Sequence, residues 1–198
     1  MRAGHGRTVF VHVGTHKTGS TAIQHFLAQN EAALAAAGIY VPRTGRLAAH
    51  AEGCGHHNIA LELSENPRYD PLLGSLTQLA AELATCGYSR ACISSEEFES
   101  LHDKPANLRR LRDTFAAIGF GTLVVLYLRP QADYLESLYS ELAKSSWYLN
   151  FKTFLATVLE EAEISGAGVS FAYERLIGRF AGVIGPNCII VRPYKRGA

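Results

Sequence analysis

The stretch TVFVHVGTHKTGST, residues 8–21, is the part of the sequence that decides the fold. Its opening residues are mostly β-branched or apolar and end at Gly14, and a helical spacing of apolar residues begins near Ser20. The stretch therefore predicts a strand, a loop and a helix in that order. A glycine-bearing loop in this place lets backbone N–H groups converge on an anion at the helix N-terminus, where the helix dipole adds a favourable field.

Polar side chains in the same stretch also favour an anion site. Lys17 supplies a positive charge, and Ser20 and Thr21 supply hydroxyl groups. The alternative is an ordinary turn in which Ser20 caps the helix, but a cap needs none of the other polar residues. The loop is not a Walker A loop, because the lysine of GxxxxGK[ST] follows the second glycine whereas Lys17 precedes Gly19. We therefore expect a phosphate-binding loop of another family.

The rest of the chain alternates strand-like and helical segments. The segment Thr122–Leu128 is apolar on both faces, as in a central strand of a covered parallel sheet. The alternation predicts an α/β fold of the P-loop-like, three-layer kind, with a central, mainly parallel sheet flanked by helices. Beyond residues 8–13, strands are predicted at Ile39–Val41, Ala91–Ser95, Thr122–Leu128 and Cys188–Arg192. Helices are predicted between Ser20 and Gly38, at Pro71–Thr85, Leu108–Ile118, Phe151–Glu163 and Tyr173–Val183, and after Pro130.

Composition limits the classes of protein to which the chain can belong. Its 198 residues are 47% hydrophobic and 19% charged, which indicates one globular domain, residues 1–198, with an ample core. The net charge of +1 gives no global field for nucleic acid or an anionic membrane, and no apolar run approaches the roughly 20 residues of a membrane span. The four cysteines form no CxxC pair, which favours reduced thiols and a cytoplasmic location; a zinc site from scattered Cys and His residues is the alternative.

A second polar segment follows the most apolar strand. In LYLRPQADYLESLYSE, residues 126–141, the strand delivers Arg129 to the carboxyl edge of the sheet, where ligands of open α/β sheets bind. Ser137 lies about 12 Å further along the predicted helix, at about 1.5 Å per residue. A guanidinium and a serine hydroxyl could therefore hold one phosphate from two directions, although each residue alone is commonly just solvated.

Together, the two segments resemble the sulfotransferases that use 3′-phosphoadenosine 5′-phosphosulfate (PAPS) as donor, particularly bacterial members that act on carbohydrate-like acceptors. SSEEF, residues 94–98, also looks like the family, and the resemblance extends from about Val9 to Tyr194. It implies in-line transfer of a sulfuryl group from PAPS to a hydroxyl or amine of a small-molecule or carbohydrate acceptor. The product would be adenosine 3′,5′-bisphosphate (PAP). The resemblance implies that Arg129 and Ser137 bind the 3′-phosphate, and that the 5′-phosphosulfate is bound by Thr15, His16, Lys17, Thr18, Gly19, Ser20 and Thr21.

The implied chemistry agrees with the residue types. Sulfuryl transfer depends mainly on positioning and on stabilising charge at the leaving oxygen. We expect Lys17 to neutralise the leaving phosphate. We expect no metal, because a sulfuryl group carries less charge than a γ-phosphoryl group and the sequence shows no clear acidic cluster.

Two places offer the general base that the acceptor needs. Glu96 follows a strand predicted to lie beside the phosphate loop; otherwise it is a solvated strand end or a helix cap. His57 ends the Gly- and His-rich stretch Arg43–His57, which has no sustained period and predicts an exposed or mobile loop. A histidine there is also commonly a surface or hydrogen-bonded residue. We expect His16 to shape the phosphate loop rather than to take a proton.

Two other functions stay open. One is a P-loop nucleotide kinase or NTPase with ACISSEE, residues 91–97, as a Walker-B-like element, which the position of Lys17 weakens. The other is a non-catalytic nucleotide-binding relative, because family members usually have further elements after a strand such as the last one here. We expect the acceptor pocket to be shaped by Arg43–His57 and by residues 145–150, which include Trp147 and Tyr148.

Overall fold

A five-stranded sheet, parallel throughout, forms the centre of the computed structural model, which describes residues 6–46, 54–145, 150–164 and 168–195. The strands of this sheet stand in the order β2-β3-β1-β4-β7. Their bounds are β1 Arg7–His12, β2 Ile39–Tyr40, β3 Arg90–Ser94, β4 Phe120–Leu128 and β7 Ile189–Pro193. The helices are α1 Ser20–Gln29, α2 Glu31–Ala36, α3 His57–Leu63, α4 Leu76–Thr85, α5 Pro105–Ala117, α6 Gln131–Lys144, α7 Phe151–Glu161 and α8 Tyr173–Ile184.

The strand order explains where a ligand site can form. From β1 the chain runs outward to β2, returns to β3 beside β1, and then crosses to β4 on the other side of β1. Because crossovers between parallel strands are right-handed, these opposite directions put helices on opposite faces of the sheet. The carboxyl end of β1 is therefore a topological switch point, which is the usual place for ligands in open α/β sheets.

The core confirms the predicted fold class. Val9 and Val11 of β1 and Val124 and Leu126 of β4 are almost completely buried on one face of the sheet, and the residues of β4 that lie between them face the other side and are partly buried. All five predicted strands of the sheet are present, and their bounds shift by one or two residues. In the described ranges no helix combines the length and apolar character that crossing a membrane requires.

A second, smaller core lies beside the sheet. Tyr134 and Leu138 of α6 pack with Phe154 of α7 and with Ile164 and Val169 of a short antiparallel pair. That pair consists of β5 Glu163–Ile164 and β6 Val169–Ser170. This cluster fixes α6, and α6 carries Ser137 to the carboxyl edge of the sheet.

Three local expectations are wrong. The helix predicted between Ser20 and Gly38 breaks at Asn30 into α1 and α2. The helix predicted at Pro71–Thr85 begins as the short 3₁₀ turn Pro71–Leu73, and α4 starts only after its N-cap, Ser75. The end of the stretch Arg43–His57 is not an exposed loop, because His56 and His57 are buried and α3 begins there. Their rings bond with Ser94 and Ser95 at the carboxyl end of β3.

Candidate functional site

The loop after β1 is held in a tight, partly left-handed conformation. Gly14, Lys17 and Gly19 all have positive φ angles, of 85°, 59° and 78°. A Cβ atom on Gly14 would lie 3.2 Å from the Cα and Cβ atoms of Glu96, so glycine permits the loop to approach the element that carries Glu96. That element is the 3₁₀ helix Glu96–Asp103, which follows β3.

The N-terminus of α1 is left without a cap. Gly19 is the N-cap residue and no side chain accepts a hydrogen bond there, so Ser20 is the first residue of the helix and not its cap. Within the described ranges, the backbone N–H groups of residues 19–22 donate no hydrogen bond, whereas that of Ile23 donates to the carbonyl of Gly19. Free N–H groups at a helix N-terminus form a ready site for an anion.

A cavity of about 470 Å³ opens over these N–H groups. It brings together eight of the residues singled out in the sequence and five that were not. The expected residues on its wall are His16, Lys17, Gly19, Ser20, Thr21, Glu96, Arg129 and Ser137. The unexpected ones are Asp133, Glu136, Ser140, Glu141 and Tyr194.

Arg129 lies at the carboxyl end of β4 and closes one side of the cavity. Its Nη1 donates to the carbonyl of Lys17 at 3.3 Å, and its own carbonyl accepts from the hydroxyl of Tyr173 at 2.8 Å. The guanidinium carbon lies 5.7 Å from the centre of the Tyr194 ring. No carboxylate pairs with Arg129 within the described part of the chain, so its charge is available to a ligand.

Lys17 is paired across the cavity. Its Nζ lies 2.5 Å from Oε2 of Glu141 on α6, and the two side chains are 36% and 49% exposed. An ion pair with this exposure contributes only about 0.2–1 kcal/mol. An anionic ligand with several oxygens can therefore displace Glu141 from Lys17 at small cost.

Glu96 is held at the cavity wall in its ionised form. Nε2 of Gln24 on α1 donates to its Oε2 at 2.7 Å. Burial raises the pKa of Glu96, but the nearby His57, the hydrogen bonds it accepts and His16 outweigh burial and lower the pKa below its usual value of 4.5. The side chain is therefore a carboxylate at neutral pH.

His16 is anchored from behind by Glu99, a completely buried residue of the same 3₁₀ helix as Glu96. Oε2 of Glu99 accepts from Nδ1 of His16 at 2.9 Å and from its backbone N–H at 3.1 Å. Burial lowers the pKa of His16, but the hydrogen bond and the charge of Glu99 outweigh it and raise the pKa to about 9.

The structure places three predicted residues away from the cavity wall. Thr15 and Thr18 are buried inside the loop, where Oγ1 of Thr18 donates to the carbonyl of Thr15 at 2.5 Å. His57 is buried at the start of α3, with Nδ1 2.9 Å from Oγ of Ser95. The first two thus shape the loop from within, and His57 lies behind Glu96. Trp147 and Tyr148, and with them residues 47–53 of the stretch Arg43–His57, lie outside the described residues.

A cation could bind at one group of side chains in the described part of the chain. Ligand atoms of His102, Asp103 and Glu163 lie within 4.8 Å of one another. The guanidinium of Arg179 already pairs with both carboxylates, and none of the three residues lines the 470 Å³ cavity. This group therefore adds nothing to the candidate site.

Among the site residues that were not found from the sequence, Glu99 and Tyr194 carry a recognisable signal and Glu141 does not. Glu99 stands three residues after Glu96, and side chains at this spacing lie on one face of a 3₁₀ helix. Tyr194 directly follows β7, so the rule that places Arg129 at the sheet edge also places Tyr194 there. Glu141 has no such signal, because its contact with Lys17 depends on the tilt of α6.

The fold resembles that of a bacterial protein of known structure. The crystal structure of a sulfotransferase from Alicyclobacillus acidocaldarius matches 95% of this chain and 73% of its own, with a TM-score of 0.57 and 17% sequence identity. A tunicamycin resistance protein from Deinococcus radiodurans covers 90% of this chain and 96% of its own at 15% identity, but its TM-score of 0.37 is too low to indicate a shared fold. No family model and no curated protein sequence matches the chain. The chain therefore has a sulfotransferase-like α/β fold.

Proposed function

We propose that the protein is a sulfotransferase that transfers a sulfuryl group from PAPS to a hydroxyl or amine of a small-molecule or carbohydrate acceptor. The observation that carries the proposal is the 470 Å³ cavity, whose wall combines the loop after β1 with Arg129 and Ser137. The resemblance to PAPS-dependent sulfotransferases implies that these two groups bind the two phosphate-bearing ends of the donor. Their meeting in one cavity is what a donor with a 5′-phosphosulfate and a 3′-phosphate requires.

The loop supplies the groups that stabilise the leaving phosphate. The free N–H groups of residues 19–22 and the dipole of α1 favour negative charge at this point. Lys17 adds a mobile positive charge once an anion replaces Glu141 as its partner. Preorganised donors of this kind act where charge develops in the transition state, and they contribute most where water is excluded.

Arg129 and Ser137 bind the 3′-phosphate in this proposal. The guanidinium has no carboxylate partner among the described residues, and its planar fork suits phosphate oxygens. The chemistry calls for no bridging metal, since a sulfuryl group carries less charge than a γ-phosphoryl group.

Glu96 is our proposed general base. It lines the same cavity as Lys17, it is ionised, and its orientation is fixed by Gln24. His57, the other candidate, is buried behind it and is proposed to support Glu96 rather than to meet the acceptor.

PAP binding to the purified protein, measured by isothermal titration calorimetry, tests the donor site. We expect Arg129→Ala to weaken PAP binding by about 10- to 100-fold, the usual cost of losing a hydrogen-bonded charge. The matched control is Arg109→Ala, which removes an exposed arginine of α5 and should leave the affinity unchanged.

Binding of ATP and a sulfate-transfer assay distinguish the sulfotransferase from a kinase or NTPase and from a non-catalytic relative. Preferential binding of ATP with Mg²⁺ would overturn the proposal in favour of a kinase or NTPase. Tight PAP binding without sulfate transfer from PAPS to any member of a broad acceptor panel would indicate a non-catalytic relative. Transfer that requires Arg129 would support the sulfotransferase.

A further inference from the structure

The pair formed by His16 and Glu99 has a geometry that the loop itself does not need. A single carboxylate oxygen accepts both the backbone N–H and the ring Nδ1 of His16, at 3.1 and 2.9 Å. Backbone anchoring alone would use only the first of these bonds. The second one fixes the rotation of the imidazole ring and keeps a proton on Nδ1, since a carboxylate can only accept.

The environment of Glu99 determines the charge on the ring. Glu99 is 0% exposed, and His16 is its only ion-pair partner in the described part of the chain. Among the described residues, its other oxygen accepts only from the backbone N–H of Ser170, at 3.3 Å. Because a buried carboxylate without a compensating cation is strongly unfavourable, the pair is most stable with His16 protonated.

The remaining nitrogen of His16 faces away from Glu99. The His16 side chain is 22% exposed and lines the cavity, and its Nε2 has no partner among the described residues. With Nδ1 fixed by Glu99, a protonated ring presents Nε2–H as a donor beside Lys17. The other charged groups on the cavity wall are Glu96, Arg129, Asp133, Glu136 and Glu141.

We infer that His16 is a fixed imidazolium that donates Nε2–H to the anionic group bound by the loop, and that Glu99 is the residue that positions it. This inference rests on the proposed function only for the identity of the anion. It adds a second cation to the loop, one that cannot swing away as Lys17 does, because both of its anchoring bonds end on a buried atom.

Titration of the histidine ring by NMR tests the pair without any ligand. In the wild-type protein the His16 ring should be protonated at neutral pH and should lose its proton only near pH 9. Glu99→Gln keeps the shape of the side chain and removes its charge, so His16 should then be neutral at neutral pH. Glu31→Gln is the control, because Glu31 lies on α2, pairs with Arg46 and does not line the cavity. A neutral His16 ring in the wild-type protein at neutral pH would overturn the inference even if Glu99→Gln does not fold.

Anion binding then tests the role of the ring, with PAP and inorganic pyrophosphate as separate probes. Glu99→Gln should weaken both by about 10- to 100-fold at neutral pH, and wild-type affinity should fall as the pH rises through about 9. A merely structural defect would not produce this pH dependence. Pyrophosphate binding that depends on Glu99, without PAP binding, would support the inference and contradict the proposed function. Affinities unchanged by Glu99→Gln, or no binding of either probe, would overturn the inference.

Discussion

At the scale of single residues, the proposed function assigns donor binding and acceptor activation to different groups. Lys17 and Arg129 carry positive charge at the cavity wall, whereas Glu96 is a carboxylate fixed by Gln24. A substitution of Glu96 should therefore affect the chemical step and not the binding of the donor.

We expect Glu96→Gln to lower kcat for sulfate transfer by about 10²- to 10⁴-fold, the usual contribution of a general base. The dissociation constant for PAP should change little, because the amide can still bond with Gln24. Steady-state kinetics and calorimetry on the same preparation measure the two effects. Glu97→Gln, with its surface partner Arg68, should leave both unchanged. An equal loss in Glu96→Gln and Glu97→Gln would argue against Glu96 as the base.

Sequence reasoning at this scale found the groups that face the cavity from the strand ends and missed the groups that hold them. Lys17 and Arg129 are recognisable because each follows an apolar strand. Glu141 and Gln24 act through contacts between elements that are far apart in the sequence. Such contacts depend on the packing of helices, which a single sequence does not specify.

At the scale of elements, the loop after β1 depends on its close approach to the 3₁₀ helix that carries Glu96 and Glu99. Gly14 is the contact point, since a Cβ atom there would lie 3.2 Å from two atoms of Glu96. Its φ of 85° is also unfavourable for any L side chain.

Gly14→Ala should lower the free energy of unfolding by about 1–3 kcal/mol, because it combines left-handed strain with the close contact. Urea denaturation measures the change. The matched control is Gly178→Ala in the middle of α8, where a Cβ atom meets nothing within 4 Å. That substitution should stabilise the protein by about 0.5–1 kcal/mol, because glycine is a poor helix former. Equal effects of the two substitutions would contradict the proposed role of Gly14.

The elements differ in how clearly the residues within each of them predict its secondary structure. The strands of the sheet are identified by continuous apolar runs, and β4 is the clearest of them. By contrast, α3 was missed because most of its residues are buried, so it shows no alternation of polar and apolar faces. The pair β5 and β6 has two residues per strand, which is too short for any period. The start of α4 was recoverable, since Ser75 and Gln78 form a capping box.

At the scale of the whole molecule, buried histidines set the pH range of stability. Burial lowers the pKa of His12 to about 4, and burial with the charge of Arg46 lowers that of His56 to about 3. Below the unfolded value of 6.5, the unfolded chain binds protons that the native state excludes, so stability falls as the pH decreases. His16 behaves oppositely: its pKa of about 9 gives a contribution that is complete below pH 6.5 and is lost as the pH rises through 9.

Stability should therefore peak near pH 6.5, with each of these groups contributing a slope of about 1.4 kcal/mol per pH unit. Two histidines act on the acid side and one on the alkaline side, so the acid side should be steeper. Urea midpoints from about pH 5 to about pH 8.5 measure the profile. Glu99→Gln should flatten the alkaline side and leave the acid side as it is. A profile that is flat on the acid side would show that His12 and His56 do not titrate as described.

The hydrogen bond from Arg129 to the carbonyl of Lys17 has a consequence for how the protein folds. It joins residues 112 positions apart, and it forms only when β4 has paired with β1. Contacts of such long sequence separation are slow to form, because the chain entropy lost in closing the loop must be given up before they can stabilise anything. A nascent or partly folded chain can build the loop after β1 without the arginine beside it. Recovery of full anion affinity during refolding should therefore report the pairing of β1 with β4, whereas helix content reports only earlier, local events.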